Sequence, residues 1–126
     1  MTSRALALIT VLAAADPVPT MIFDEVDSGI GGRVAAVVAQ KLAEAAENRQ
    51  VLCVTHLAPI AARAAHHVRV AKSVRAGRTR VGAEIVTGDA RVEEIARMVA
   101  GDRVTETARG HARELLGRPA SRTRPV

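Results

Sequence analysis

The chain has 126 residues, 48% of them hydrophobic and 25% charged, a balance that excludes a disordered or fibrous protein and favours one globular domain. A formal net charge of +5 favours polyanionic partners, and a single Phe without Trp or Tyr argues against base stacking as a mode of binding. The one cysteine, Cys53, excludes an internal disulfide and fits a reducing cytoplasm.

The N-terminal residues allow two interpretations. Residues 4–15 are apolar and rich in Ala, which predicts a helix ending at Asp16, because Pro17 disfavours helical geometry in the residue before it. The charge of Arg4, followed by apolar and then small residues, also resembles a secretory leader, so an exported small protein stays an alternative. The apolar run is about half the roughly 20 residues that a membrane span needs, so no membrane segment is expected.

The next three elements predict an α/β fold. Residues 20–23 and 51–55 are short continuous apolar runs, the pattern of strands buried on both faces of a parallel sheet. Between them, residues 33–47 carry apolar side chains at helical spacing, after a loop rich in glycine. The order strand, helix, strand predicts a right-handed parallel crossover.

The remainder of the chain predicts smaller elements. A short helix is expected over residues 57–65, followed by a β-hairpin that turns at Ala76 and Gly77. A further helix should stop at Gly101, and Asp102 is expected to cap a last helix. We therefore expect one folded unit over residues 1–116 and a basic, disordered tail over residues 117–126.

Polar groups follow both predicted strands of the parallel sheet. Asp24 and Glu25 end the first strand, and His56 follows the second. Ligands of open α/β folds bind at this carboxyl edge, where Asp24 could hold Mg²⁺ and Glu25 could orient or deprotonate a water that attacks a γ-phosphate. His56 could hydrogen-bond a terminal phosphate. A solvated acidic strand end and a structural histidine remain the alternatives.

Four stretches of the chain resemble a known family. Residues 21–32, MIFDEVDSGIGG, look like the Walker B strand and D-loop of the RecN family of SMC-like, ABC-type ATPases, and residues 51–57, VLCVTHL, resemble its switch-histidine strand. Residues 91–98 and 108–116 are similar to the usual ending of that family, so the resemblance covers residues 3–116. It implies the C-terminal lobe of a P-loop ATPase head.

By position, the resemblance implies a role for four residues and ATP with Mg²⁺ as cofactors. Asp24 would serve Mg²⁺, Glu25 would activate water, Asp27 in the D-loop would contact the opposed subunit, and His56 would lie near the γ-phosphate. The implied function is ATP binding at a dimer interface, with hydrolysis coupled to DNA double-strand break repair and recombination. The implied location is the cytoplasm, at the nucleoid.

The chain departs from the family in three respects. It contains no G-x-x-x-x-G-K-[ST] phosphate loop, and no Ser-Gly-Gly-Glu signature precedes Ser3. Ala58 and Pro59 stand where the family normally has Pro-Gln. In such ATPases the phosphate loop comes from the N-terminal lobe and the signature from the facing subunit. The resemblance therefore implies that lobe of the same protein and a second copy, in a head-to-head homodimer, as partners, and we expect the chain alone to be inactive.

The predicted hairpin suggests a different function. Between Asn48 and Ala83 the chain has seven Lys or Arg residues and no Asp or Glu, and Arg75, Arg78 and Arg80 fall on the hairpin. These arginines could contact DNA phosphates, which would make the chain a non-catalytic basic module that binds DNA or a partner. They could equally be the solvated face of an edge strand protected against aggregation.

Cysteine and histidine residues in the middle of the chain raise the possibility of a metal site. Cys53 and the three histidines His56, His66 and His67 lie within 15 residues of one another. Their spacing matches no familiar zinc site, and Cys53 should point into the core. The sequence therefore predicts no zinc.

Overall fold

The computed structural model describes residues 18–24 and 32–117. The predicted helix over residues 4–15, most of the glycine loop and nearly all of the tail lie outside these residues. The described elements, in chain order, are β1 (Thr20–Asp24), α1 (Gly32–Ala45), β2 (Gln50–Val54), α2 (Ala58–Arg63), β3 (Val68–Arg75), β4 (Arg78–Ile85), α3 (Gly88–Ala100) and α4 (Glu106–Leu116). The α/β class and the order of these elements are as predicted.

Strands β1 and β2 form a parallel pair connected through α1. Their register places Thr20 opposite Gln50 and Asp24 opposite Val54. Helix α1 packs its apolar stripe against one face of this pair, and a contiguous cluster joins Phe23 to Val38, Ala39, Leu42 and Ile60. Val38 is fully buried, as expected for the centre of an amphipathic helix that covers a sheet.

The prediction that both faces of these strands are buried is wrong for the part of the chain that the structure describes. Phe23 is only 8% exposed on the face under α1, whereas Ile22 is 70% exposed and Val54 is 61% exposed. Successive side chains of a strand point to opposite faces, so one layer of helix covers only every second residue. The described residues supply no second layer over Ile22, Leu52 and Val54.

Helices α2, α3 and α4 share a second apolar cluster. It joins Ala58, Ala61 and Ala62 of α2 to Ile95 and Ala96 of α3 and to Ala108 and Ala112 of α4. Most of these side chains are alanines, so the helices approach closely and bury little area per residue. Ile95 is fully buried in this cluster, whereas Val99, one turn further along α3, is 39% exposed.

Strands β3 and β4 form an antiparallel hairpin around Ala76 and Gly77. Both turn residues have positive φ, 50° and 71°, the combination of a two-residue turn whose twist matches that of the strands. The register sets Val68 opposite Ile85 and Arg75 opposite Arg78. The hairpin predicted from alternation is therefore confirmed.

The C-terminal helix begins at a different cap from the one predicted. Asp102 is not the cap; Thr105 is, because its side-chain oxygen accepts a hydrogen bond from the backbone N–H of Ala108 at 3.1 Å. The Thr105 backbone is extended, which directs the hydroxyl over the first turn, whereas Asp102 lies three residues upstream. Helix α3 ends at Gly101 as predicted, with a φ of 76° that favours glycine.

Within residues 18–24 and 32–117, no helix is both long enough and apolar enough to cross a membrane.

Candidate functional site

Asp24 and His56 lie at the carboxyl edge of the parallel sheet. Asp24 is the last residue of β1 and is paired in register with Val54, the last residue of β2. His56 follows Val54 by two residues, so both polar groups leave the sheet at the same end. Both side chains are exposed, and each is accessible to a ligand arriving at that edge.

Glu25 and Asp27, the other two residues predicted for this site, lie outside the described residues. Of the four, the structure therefore places Asp24 and His56 at a common edge. An exposed carboxylate is the type of hard oxygen ligand that Mg²⁺ takes, so Asp24 fits the expected metal in chemistry and accessibility.

The loop that carries His56 is held on both sides of the histidine. Before it, the Thr55 hydroxyl oxygen accepts a hydrogen bond from the backbone N–H of Leu57 at 3.0 Å. After it, Leu57 packs against the cluster under the sheet and is the N-cap of α2. Pro59 stands in the first turn of α2, where its missing N–H has no helical partner to lose. The departure Ala58-Pro59 therefore still permits a helix directly after the histidine.

Arg91 anchors the far end of the same short helix. Its guanidinium donates to the backbone carbonyls of Ala61, Ala62 and Ala64, at 3.2, 3.4 and 2.6 Å. These oxygens are at the C-terminal end of α2, where carbonyls lack partners within the helix and a cation is favourable. Arg91 belongs to α3, so a distant helix holds the element that follows His56. Arg91 was not among the site residues predicted from the sequence, and only its position in the stretch 91–98, which resembles the family, pointed to it.

A buried group of polar side chains lies beside this anchor, and of its members only His67 stood out in the sequence, as a possible metal ligand. Glu94 is 5% exposed and accepts two hydrogen bonds from Arg97, at 2.9 and 2.5 Å. These bonds lower the pKa of the Glu94 carboxyl, against burial, which raises it. His67 is 8% exposed, and burial together with the charge of Arg91 lowers the pKa of its imidazole. The group connects the start of the hairpin to α3.

The three hairpin arginines lie on one face of the hairpin. Arg75 is directly opposite Arg78, and Arg80 is opposite Ser73, which places all three side chains on the same side. At the other end of this face, Arg69 forms an ion pair with Glu84. Valine and isoleucine side chains occupy the opposite face, where Val70 is 65% exposed and Ile85 is 72% exposed.

Cys53 packs with Phe23 and its neighbours in the cluster under the sheet, as predicted. In the described segments, no three His, Cys, Asp or Glu side chains come together as a metal site would require.

The fold places the chain in a class. A solved structure from work on ATP-driven dimerization and DNA-stimulated activation of SMC ATPases superposes with a TM-score of 0.59 and covers 81% of this chain and 63% of its own. The sequences are 19% identical, so the likeness shows the fold alone. The chain therefore has the α/β fold of part of that SMC ATPase structure, with Asp24 and His56 at one sheet edge.

Sequence comparison then identifies the family. The DNA repair protein RecN of Deinococcus radiodurans is 53% identical over 114 residues, which cover 90% of this chain. RecN of Treponema pallidum is 51% identical and that of Streptomyces coelicolor 47% identical, each over 111 residues. No family model matches the chain. On this identity the chain belongs to the RecN family, as the C-terminal portion of a RecN-type protein.

The chain spans about a fifth of the length of these relatives, between 19% and 20%. Four-fifths of each relative therefore has no counterpart in these 126 residues.

Proposed function

We propose that this chain supplies one part of the ATP site of a RecN-type ATPase, which couples ATP hydrolysis to DNA double-strand break repair and recombination. The proposal rests on the placement of Asp24 and His56 at the same edge of the parallel sheet, in a chain 53% identical to a RecN protein. Open α/β folds bind their ligands at this edge.

Each residue has a distinct task in the proposed site. Asp24 holds Mg²⁺, and the ion, when bound, neutralises charge on the phosphates of ATP. Glu25 orients the attacking water and accepts its proton, and His56 donates a hydrogen bond to the γ-phosphate. Asp27 contacts a second copy of the protein across the nucleotide.

The remaining groups of the site belong to other segments. Phosphoryl transfer depends on positioned donors around the β- and γ-phosphates, and this sequence contains no phosphate loop to supply them. We propose that an N-terminal lobe of the same protein provides that loop and that the second copy completes the site in a head-to-head dimer. The proposed location is the cytoplasm, at the nucleoid.

Glu25→Gln in the complete gene product tests the proposal. The change removes the proton acceptor but keeps the size of the side chain, so we expect ATP hydrolysis to fall by about 10²- to 10⁴-fold while ATP is still bound. Single-turnover hydrolysis and equilibrium ATP binding separate the two effects. Glu47→Gln, at an exposed position after α1, is the matched control and should retain the wild-type rate.

A complete protein whose Glu25→Gln variant hydrolyses ATP at the wild-type rate would contradict the proposal. Turnover by the purified 126-residue chain alone would contradict the division of the site between segments.

A further inference from the structure

We propose that the end of the hairpin beside its turn is a contact surface for the phosphate backbone of duplex DNA, formed by Arg75, Arg78 and Arg80. This inference rests on the proposed role at DNA, but it assigns that contact to particular residues and is independent of the ATP site. It is based on the register of the hairpin and on the ion pairs among the residues that the structure describes.

The register places like charges beside each other. Arg75 and Arg78 flank the two-residue turn as a directly opposite pair, and Arg80 follows Arg78 on the same face. Opposite residues on one face of an antiparallel pair have Cβ atoms about 5 Å apart, and like charges at that spacing are destabilising. An anion between the two guanidinium groups replaces this repulsion by two attractions.

Four arginines in the described part of the chain are paired with carboxylates, whereas Arg91 donates to backbone carbonyls. Arg69 pairs with Glu84, Arg97 with Glu94, Arg109 with Glu93 and Glu106, and Arg113 with Glu106. No described carboxylate lies within ion-pair distance of Arg75, Arg78 or Arg80. The positive charge of the hairpin is therefore concentrated at its turn, while the opposite end of the same face is neutralised by Glu84.

The residue types at the end of the hairpin indicate which kind of anion it binds. Guanidinium groups bind phosphate oxygens through two parallel hydrogen bonds, so three of them close together on one face suit the neighbouring phosphates of a nucleic-acid backbone. The hairpin has no aromatic residue on which a base could stack, which argues against single-stranded nucleic acid. Duplex DNA has the higher charge density along its axis, and backbone contact alone makes the binding independent of sequence.

The test replaces all three arginines by glutamine in the complete protein and measures duplex binding against salt concentration. Each phosphate contact contributes about 0.9 to the slope of log K against log salt, so we expect the slope to become shallower by about 2 to 3. Affinity near physiological salt should fall at least about tenfold. The triple lysine variant keeps the charges and should retain most of the slope.

A matched control removes the same charge elsewhere. Arg103, Arg109 and Arg113 lie on or just before α4, and the latter two are already paired with carboxylates. Replacing these three by glutamine should leave the salt slope at its wild-type value. An equal loss in this control, or an unchanged slope in the hairpin variant, would overturn the proposal.

Two further measurements separate this inference from others. ATP turnover without DNA should be the same in the hairpin variant and the wild type, because the hairpin arginines are not part of the proposed ATP site. If the wild-type protein binds polyglutamate through these arginines but not duplex DNA, the surface recognises an acidic protein and the proposal is wrong. Wild-type ATP turnover combined with an unchanged salt slope would remove this inference alone and leave the proposed function standing.

Discussion

Among single residues, Asp24 and His56 at the sheet edge could be identified from local sequence, whereas the role of Arg91 could not. Asp24 and His56 each follow an apolar strand, so local sequence was enough to select them. Arg91 donates hydrogen bonds to backbone carbonyls that are 27 to 30 residues away in sequence, and no local sequence pattern predicts such a contact. The role of such a residue can be recognised only when the relative positions of the helices are known.

His67 gives a prediction at this scale. Burial lowers its pKa below the ordinary 6.5, so between the two values the unfolded chain binds a proton that the folded chain does not. Stability should therefore decline as pH falls through 6.5 and stop declining below the folded-state pKa. Replacing His67 by glutamine should flatten this decline, as measured by urea unfolding at about pH 7.5 and about pH 5.5.

Glu94 affects stability in a lower pH range than His67, so the contributions of the two groups can be measured separately. Its pKa is lowered from 4.5, so its contribution is present above that value and is lost as pH falls through the folded-state pKa. The same decline between pH 7.5 and 5.5 in wild type and His67→Gln would contradict the assignment to His67.

At the scale of elements, the beginning of α4 provides the sharpest comparison. Thr105 caps the helix with its hydroxyl, whereas the predicted cap, Asp102, has an exposed side chain three residues upstream. Thr105→Ala should lower the free energy of unfolding by about 1 kcal/mol, because the N–H of Ala108 loses its partner. Asp102→Ala is the matched control, with an expected effect within about 0.5 kcal/mol. Equal effects in thermal or urea unfolding would contradict the cap.

At the scale of the whole molecule, apolar surface remains open on both sheets. Val70, Val74 and Val81 are each at least 63% exposed on one face of the hairpin. Contiguous apolar surface of this kind marks interaction sites or promotes self-association. We expect the 126-residue chain to bind a hydrophobic dye and to self-associate, and the triple threonine variant at these positions to do so less.

Light scattering and dye fluorescence at matched protein concentration measure this effect. Ala71→Thr, on the opposite face of the hairpin, is the control and should behave as the wild type does. Unchanged association in the triple variant would show that another surface is responsible.

The α/β class, the eight described elements and the family could all be predicted from the sequence, because apolar periodicity and the motifs around Asp24 and His56 are local properties of the chain. Asp24 and His56 could also be selected locally, since polar residues that follow parallel strands leave the sheet at one end.

Four features became known only from the three-dimensional structure: the covered faces of the strands, the residue that caps α4, the carbonyls that Arg91 binds, and the shared face of three arginines. Each of these depends on how separate elements are placed, on backbone dihedral angles or on strand register. A strand with a continuous apolar sequence has the same pattern whether one of its faces or both are covered by other elements. Ile22 and Val54 are apolar but exposed, so an apolar run predicts that a face can be buried, while a packing partner is needed to bury it.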